Sequence, residues 1–226
     1  MGQIIIQEET MKNPITFIGK QAGIAYGTDI TDDAKNYKRG LQCIKDGHGR
    51  VLEFADVYMV IKGYSNRVIR EFMRHVGDGL TAIQQSTRYV DFSTGFDYVT
   101  PHSVLNNDAA YDAYRKVMED TTDAINLLMN TYKIPKEDAQ MLIPLAATTE
   151  VTIKKNMRNL TDMSRVRMCN RAYWEFRELM NQLKTELSNY SPEWGTLCSM
   201  LLFAKCEKSK ICDEKFGCGK YPKKEN

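Results

Sequence analysis

The side chains best suited to chemistry are concentrated in one stretch, residues 70–89, with the sequence REFMRHVGDGLTAIQQSTRY. An amphipathic segment ends here in a Gly-Asp-Gly break, and a polar stretch rich in amides follows it. Planar guanidinium groups pair bidentately with phosphate, so the stretch favours a polyanionic ligand. The candidate donors are Arg74, His75, Gln84, Gln85, Ser86 and Arg88. The alternative is a solvated helix end and loop, because a local motif is only a hypothesis.

This stretch resembles the signature of the flavin-dependent thymidylate synthases, the ThyX family. The signature begins with Arg74 and His75, but Val76 stands where the family has a second arginine. Nine residues then separate Val76 from Ser86, a longer gap than the family's, and the closing Ser-Thr-Arg-Tyr of residues 86–89 fits well. Two further stretches carry the same resemblance, which covers roughly residues 47–177.

The first of these two stretches lies before a predicted strand, where His48 and Glu53 match the family and Phe54 replaces a histidine. Without the resemblance, the same residues read as a polar loop between a helix and a strand. The second stretch, residues 139–175, keeps the family register without a gap at Asn156, Arg158, Leu160, Arg167, Trp174 and Glu175.

The resemblance implies a fold and an assembly. We expect an α/β (α+β) subunit with a central, mostly antiparallel sheet flanked by helices, assembled as a homotetramer. The active sites are expected where subunits meet, and they bind FAD tightly together with dUMP. A single catalytic domain would span residues 1–205, followed by a tail of residues 206–226 that is rich in cysteine and lysine.

The same register assigns residues to ligands, and it implies no metal site. Positions expected to face the flavin are Arg50, Arg74, His75, Val76, Gln84, Asn156, Met157, Arg158 and Asp162. Positions expected to bind dUMP are Glu71, Phe72, Met73, Arg74, Gln84, Gln85, Ser86, Thr87, Arg88, Gln140 and Arg167. Asp162 stands where the family usually has Asn, and Glu71 where many members have Gln.

Arg167 is the expected catalytic residue, because a fixed cation beside the uracil ring stabilises the negative charge that develops on it. Arg88 would pair bidentately with the nucleotide phosphate. Ser86 is expected to donate a hydrogen bond rather than to attack, because no base lies near it in the sequence. The flavin would carry the redox chemistry, while the protein supplies position and electrostatics.

The implied reaction joins dUMP, methylenetetrahydrofolate and NADPH to give dTMP and tetrahydrofolate. Two positions depart from the family's sequence pattern: Val76 and Gln140 each stand where the family has an arginine. At Gln140, the lost charge assistance costs on the order of 1–2 kcal/mol unless Lys154 or Lys155 replaces it. Two other functions stay open, a flavin enzyme that gives deoxyuridylate another product, such as a hydroxymethylated one, and a non-catalytic nucleotide-binding homologue.

The composition is that of an ordinary globular domain, with 226 residues of which 42% are hydrophobic and 27% charged. A net charge of +2 gives no reason to expect a nucleic-acid partner. No apolar run approaches the roughly 18 residues of a membrane span, and the N-terminus lacks a secretory signal. We therefore expect a cytoplasmic protein with mainly reduced thiols.

Hydrophobic periodicity predicts the elements that carry these residues. Strands are predicted at residues 4–6, 15–18, 54–62 and 148–154. Helices are predicted at residues 31–45, 65–76, 107–133, 156–167 and 194–204, with a short one after Pro135. In the longest helix, the predicted core face is Tyr111, Tyr114, Val117, Met118, Ile125 and Leu128.

The tail contains three evenly spaced cysteines, Cys206, Cys212 and Cys218, and Cys198 precedes them. Zinc sites usually show closely spaced cysteine pairs, which this spacing lacks. Two alternatives stay open: free thiols with local packing, or a structural disulfide or metal clip.

Overall fold

The computed structural model describes residues 2–77 and 80–224, so part of the Gly-Asp-Gly break lies outside the described residues. Within these residues, four strands form one sheet in the order β1-β2-β4-β3. They are β1 (Gln3–Ile6), β2 (Asp56–Ser65), β3 (Thr81–Gln84) and β4 (Thr148–Asn156). The predicted class, a mostly antiparallel sheet with helices, is confirmed.

Helices account for most of the remaining regular structure. They are α1 (Pro14–Ala25), α2 (Asp33–Lys45), α3 (Asn66–Met73), α4 (His102–Leu105), α5 (Asp108–Asn126), α6 (Lys136–Ala139), α7 (Met157–Arg167), α8 (Trp174–Tyr190), α9 (Pro192–Leu201) and α10 (Lys205–Ser209). The described part of the chain also contains two 3-10 helices, Gly49–Phe54 and Gln140–Leu142, and one π-helical turn, Leu127–Thr131. Across residues 2–77 and 80–224, no helix is long and apolar enough to cross a membrane.

The chain divides into two compact units that we describe separately. Unit 1 comprises Met1–Gln3, Ile61–Glu71 and Ile83–Val151. Unit 2 comprises Ile4–Val60, Phe72–Ala82 and Thr152–Asn226. The single catalytic domain expected for residues 1–205 stays a prediction.

In unit 2, α1 replaces the strand predicted at residues 15–18. Pro14 occupies the first turn of this helix, where its fixed φ and missing N–H are tolerated. The helix packs tightly against α2 because both carry glycine at the crossing. A Cβ on Gly19 would lie 1.8 Å from the backbone oxygen of Asn36, and one on Gly40 would lie 2.1 Å from that of Ile15. The prediction of a strand was wrong because a short apolar run has no decisive period.

The core of unit 2 also depends on α8, which sequence periodicity did not predict. Its fully buried side chains follow a helical spacing and are Phe176, Leu179, Met180, Leu183 and Leu187. The next helix, α9, begins at Pro192, where Ser191 Oγ accepts a hydrogen bond from the N–H of Trp194 at 3.3 Å. The indole of Trp194 is buried and donates a hydrogen bond to the backbone oxygen of Met11 at 2.8 Å.

In unit 1, α5 is more exposed than its predicted core face. Met118 and Ile125 are buried, as expected, whereas Val117 is 58% exposed and Tyr111 is 38% exposed. Tyr114 is half-buried and donates a hydrogen bond from its hydroxyl to the backbone oxygen of Val99 at 3.0 Å. The predicted face was too wide because unit 1 covers only a narrow stripe of this helix.

The three cysteines of the tail are free thiols, as are Cys43, Cys169 and Cys198. Four of them help to line a cavity of about 320 Å³, namely Cys169, Cys206, Cys212 and Cys218. Within the part of the chain that the structure describes, no group of three His, Cys, Asp or Glu side chains could hold a metal ion. The tail cysteines are therefore not joined by a disulfide in this structure.

Candidate active site

In unit 2, the junction between β4 and α7 positions the candidate cofactor residues on α7. Asn156 ends the strand and caps the helix, because its Oδ1 accepts a hydrogen bond from the backbone N–H of Asn159 at 3.0 Å. Arg158 and Asp162 follow on the helix, four residues apart and therefore on one face. Both are exposed, so the cap fixes the place from which these two side chains reach solvent.

Arg158 and Asp162 line a cavity of about 490 Å³ together with Arg50. The other residues around this cavity are Glu53, Gly77 and Asn159. Arg50 belongs to the 3-10 helix Gly49–Phe54, far from α7 in the sequence. The fold of unit 2 thus brings together three of the predicted flavin-facing residues, and we call this space the arginine cavity.

Glu53 links the two arginines of the arginine cavity. Its Oε2 accepts a hydrogen bond from Nη1 of Arg50 at 3.2 Å, and its Oε1 accepts one from Nη1 of Arg158 at 2.5 Å. The hydrogen bonds from Arg50 and Arg158 hold the pKa of Glu53 below its ordinary value. The ionised carboxylate therefore keeps both guanidinium groups close together, and the trio retains one net positive charge.

Gly77 forms part of the cavity wall, and any other residue at this position would require its surroundings to move. Its φ of +38° is in the left-handed region, which side chains disfavour. A Cβ at this position would lie 1.9 Å from Oδ1 of Asn159. The glycine therefore leaves backbone exposed at the cavity, where a ligand can approach closely.

Arg167, the predicted catalytic residue, is held by two aromatic rings of unit 2. Its Nε donates a hydrogen bond to Nε2 of His75 at 2.9 Å, and its guanidinium carbon lies 4.8 Å from the ring centroid of Phe176. The imidazole of His75 meets the same phenyl ring edge-on, with 6.0 Å between centroids. Since an imidazole nitrogen that accepts carries no proton, this arrangement requires neutral His75 with its proton on Nδ1.

The two lysines before Asn156 have different environments. Lys154 is partly exposed and pairs with Asp56 at 2.8 Å. Lys155 is fully buried, and its Nζ donates a hydrogen bond to the backbone oxygen of His75. The charge of Lys154 is thus engaged by Asp56, and Lys155 acts inside unit 2 rather than at its surface.

Some predicted ligand-facing residues contribute to the core of unit 2. Phe72 and Met157 are 0% exposed, and Phe72 stacks on Phe176 with 6.1 Å between ring centroids. Their side chains are therefore committed to packing, and their backbone groups are engaged too: the oxygen of Phe72 accepts from the N–H of His75 at 3.1 Å, and the N–H of Met157 donates to the oxygen of Ala55 at 2.8 Å. Arg74 and Val76, in contrast, are exposed, and Met73 is half-buried.

In unit 1, the end of β3 carries the second set of predicted residues. Nε2 of Gln84 donates hydrogen bonds to Oδ1 of Asn66 at 2.9 Å and to Oγ1 of Thr149 at 3.2 Å. The backbone N–H of Gln85 donates to the backbone oxygen of Glu150 at 2.8 Å, while the side chain of Gln85 is exposed. The amide of Gln84 is thereby oriented before any ligand binds.

The residues after Gln85 form a turn that presents hydroxyl and guanidinium groups. The backbone oxygen of Ser86 accepts a hydrogen bond from the N–H of Tyr89 at 3.2 Å, and Ser86 Oγ accepts one from the N–H of Arg88 at 3.2 Å. Thr87 and Arg88 are exposed. Nε of Arg88 pairs with Glu137 at 2.8 Å. Because exposed ion pairs contribute little free energy, a phosphate can displace this carboxylate.

Gln140, also in unit 1, is buried rather than presented at the surface, with 3% exposure. Its Nε2 donates a hydrogen bond to the backbone oxygen of Val90 at 3.0 Å. Its Oε1 is a buried acceptor with no hydrogen-bond partner among the described residues. Such an orphaned atom costs about 1–3 kcal/mol, which a donor from a ligand would offset. Glu71 lies in the same unit and pairs with Arg67 at 3.8 Å.

Sequence reasoning missed the contributions of Asn159, Phe176 and Glu137 to these arrangements. The Asn-x-x-Asn spacing from Asn156 was a usable signal, because a capping residue bonds the N–H three positions later. Phe176 belongs to the unpredicted helix α8. Glu137 lies 49 residues from Arg88, so no local spacing connects them.

Comparison with known proteins identifies relatives over most of the chain. The family model described as thymidylate synthase complementing protein matches residues 8–193. A flavin-dependent thymidylate synthase of Nitratidesulfovibrio vulgaris is 32% identical over 188 residues, which are 79% of this chain and 74% of that protein. The enzyme of the same name from Thermococcus onnurineus is 32% identical over 173 residues, 74% of this chain and 69% of that protein.

Solved structures share the fold at low sequence identity. The UMP/dUMP methylase PolB from Streptomyces cacaoi, bound with 5-Br dUMP, aligns with a TM-score of 0.73 and 14% identity, over 89% of this chain and 96% of that chain. ThyX from Helicobacter pylori, complexed with FAD and dUMP, aligns with a TM-score of 0.63 and 17% identity, over 86% of this chain and 99% of that chain. Together with the family match and the relatives at 32% identity, this fold shows that the chain belongs to the thymidylate synthase complementing protein family.

Proposed function

We propose that the chain is a flavin-dependent thymidylate synthase, which reductively methylates dUMP to dTMP. Methylenetetrahydrofolate would donate the carbon, and FAD reduced by NADPH would donate the hydride. The observation that carries this proposal is the arginine cavity, where Arg50, Arg158 and Asp162 meet. Family register alone had assigned these three distant residues to one cofactor, so their convergence supports the assignment.

The lining of the arginine cavity fits FAD. Arg50 and Arg158 share the carboxylate of Glu53, and Asp162 pairs with Arg165 at 3.3 Å, so the two cavity arginines keep further N–H donors for the diphosphate. The bare backbone of Gly77 fits a ligand that approaches closely, because a Cβ there would collide with Asn159. We assign the diphosphate of FAD to Arg50 and Arg158.

When bound, the flavin supplies the hydride chemistry, and the chain contributes binding, orientation and electrostatics. The balanced reaction consumes dUMP, methylenetetrahydrofolate, NADPH and one proton, and it yields dTMP, tetrahydrofolate and NADP⁺. No side chain of this protein is required as a nucleophile.

Nucleotide binding is assigned to the turn of unit 1. Ser86 and Thr87 offer hydroxyl groups, and Arg88 offers a guanidinium group that can pair bidentately with phosphate. The ion pair of Arg88 with Glu137 is exposed and would open when the phosphate binds. Gln84 is pre-oriented by two hydrogen bonds, which lowers the entropy lost on binding.

Arg167 is assigned to the uracil ring. A guanidinium group is charged at any working pH, so it can stabilise negative charge on the ring throughout. His75 and Phe176 fix its position before the substrate arrives, and preorganised donors contribute most to such stabilisation.

We also propose the homotetramer that the resemblance implies, with active sites where subunits meet. Support comes from large apolar side chains that unit 1 leaves exposed, which contact with another subunit would cover. Met141 is 83% exposed and Val117 is 58% exposed. Light scattering on the purified protein tests this state, and the double change Val117→Lys with Met141→Lys is expected to shift the tetramer to smaller species.

The decisive experiment is anaerobic incubation of the purified protein with dUMP, methylenetetrahydrofolate and NADPH, followed by mass analysis of the nucleotide. We expect yellow protein that bleaches with NADPH and a product with the mass of dTMP. A product with the mass of hydroxymethyl-dUMP would replace this proposal by the rival flavin chemistry. Colourless protein that binds dUMP and leaves it unchanged would mean a non-catalytic homologue.

A further inference from the structure

Lys155 has no role in the proposed reaction so far, yet its environment is unusual for a lysine. Its side chain is 0% exposed, whereas lysine is almost never fully buried unless it is paired. Burial lowers the pKa of Lys155 from 10.5 to about 8. A fold that keeps such a group inside needs a compensating contact, which Lys155 finds in unit 2.

That contact is the backbone carbonyl of His75. Helix α3 ends at Met73, and residues 75–77 have no regular structure. The carbonyl therefore falls outside the repeating hydrogen bonds of a helix, and Nζ of Lys155 donates to it. A hydrogen bond from an ammonium group is roughly twice as strong as a neutral one, so it is suited to fixing an irregular segment.

The contacts of Lys155 and Arg167 close into a ring. Lys155 binds the carbonyl of His75, and the imidazole of His75 accepts from Arg167 at 2.9 Å. Arg167 lies over Phe176 at 4.8 Å, and Phe176 stacks on Phe72 with 6.1 Å between centroids. Nζ of Lys155 lies 5.6 Å from the ring centroid of Phe72, and this last contact closes the ring at Lys155. A closed ring of contacts restrains every member more than a linear chain would.

We propose that Lys155 is a positioning residue: its ammonium group fixes the His75 carbonyl and thereby orients the imidazole that holds Arg167. This inference rests on the proposed function, in which Arg167 stabilises charge on the uracil ring. Because Lys155 is fully buried, it acts through His75 rather than on the nucleotide.

The test variant is Lys155→Met, which keeps an unbranched side chain but removes the donor. Its matched control is Lys154→Met, at the adjacent, partly exposed position that pairs with Asp56. In the Lys155 variant we expect kcat for dTMP to fall about 100-fold, with KM for dUMP nearly unchanged, because small misplacements of a catalytic group have that effect. Lys155→Gln retains an N–H donor and should recover part of the rate. The control should keep the parent's kcat.

A second measurement does not depend on turnover. The chain has three histidines, so the imidazole nitrogen resonances of His75 can be assigned by substitution of the other two. In protein without nucleotide, we expect these resonances to move in Lys155→Met and to stay in Lys154→Met. If Lys155→Met does not fold, the same resonances are followed in Lys155→Gln, where a smaller movement is expected.

The two measurements separate this inference from the proposed function. Unmoved His75 resonances overturn the positioning role, whatever happens to the rate. Moved resonances with the parent's kcat also overturn it, because the position of His75 would then not matter to the reaction. If the parent protein makes no dTMP but the His75 resonances move in Lys155→Met, the proposed function is overturned, while the hydrogen bond from Lys155 to His75 is supported.

Discussion

Replacing Arg167 by Ala is the sharpest perturbation of the proposed chemistry. The change removes the hydrogen bond to His75 at 2.9 Å and the contact with Phe176 at 4.8 Å. These two contacts contribute about 1–2 kcal/mol to folding, as one hydrogen bond and one cation–π pair. Because domains are stable by about 5–15 kcal/mol, the variant should fold and retain FAD.

The effect on the reaction should be much larger than the effect on folding. Removing one donor that stabilises charge in the transition state raises the barrier by about 3–4 kcal/mol, which is 100- to 1000-fold in rate. Arg167→Lys should recover only part of this loss, because a point charge does not reproduce the planar guanidinium group. NADPH should still reduce the flavin in both variants.

The assay is single-turnover oxidation of the reduced, dUMP-loaded protein with methylenetetrahydrofolate present. Arg171→Ala is the matched control, because Arg171 is exposed and lies 6.0 Å from the ring of Phe216 in the tail. It should match the parent. If Arg167→Ala makes dTMP at the parent rate, the register of residues 139–175 is wrong, and the site assignments based on it are wrong too.

Four further changes test other parts of the structure. Glu137→Gln should tighten dUMP binding several-fold at low salt in calorimetry, because it frees Arg88 from its ion pair at 2.8 Å; unchanged affinity would argue against a phosphate role for Arg88. Gln140→Arg should lower the melting temperature, because a guanidinium group would enter a position with 3% exposure; tighter dUMP binding without destabilisation would show that the side chain reaches the ligand. The pKa of Lys155 is lowered from 10.5 to about 8, so the unfolded state binds more protons between these values and stability rises with pH there. The stability of Lys155→Met relative to the parent should therefore fall by on the order of 3 kcal/mol as the pH rises from about 8 to about 10.5 in urea titrations; a constant difference would contradict the buried ammonium. Replacing Cys206, Cys212 and Cys218 together by serine should lower the melting temperature but leave turnover per folded protein unchanged. A loss of turnover in folded protein would refute a purely structural role of the tail.

Local signals in the sequence predicted the elements that position the site. Asp32 caps α2 and Ser65 Oγ accepts from the N–H of Val68 at 3.2 Å, as their residue types indicated. The β-branched segment that became β4, followed by Asn156, predicted a strand leading into a helix. These predictions succeeded because capping and alternation depend on neighbours within a few residues.

The resemblance to a family predicted which residues belong to the site, but not their partners. It assigned Arg50 and Arg158 to the flavin, whereas Glu53 was only a position that matches the family, with no assigned role. The fold shows why Glu53 is there, because its carboxylate joins the two arginines. It also shows that Phe72 packs in the core, which the register of a motif cannot distinguish from ligand contact.

The sequence by itself determined the family, the fold class and the first residues of most helices and strands. All three depend on residue types that lie close together in the sequence. Only the tertiary structure decided how the charged groups are held. His75 lies 92 residues from Arg167 and 80 from Lys155, and Arg158 lies 105 from Glu53. Such pairs form when packing brings distant segments together, and side-chain type at either end does not specify the partner. The burial of Lys155, and with it the proposed support of Arg167, therefore became visible only in the folded chain.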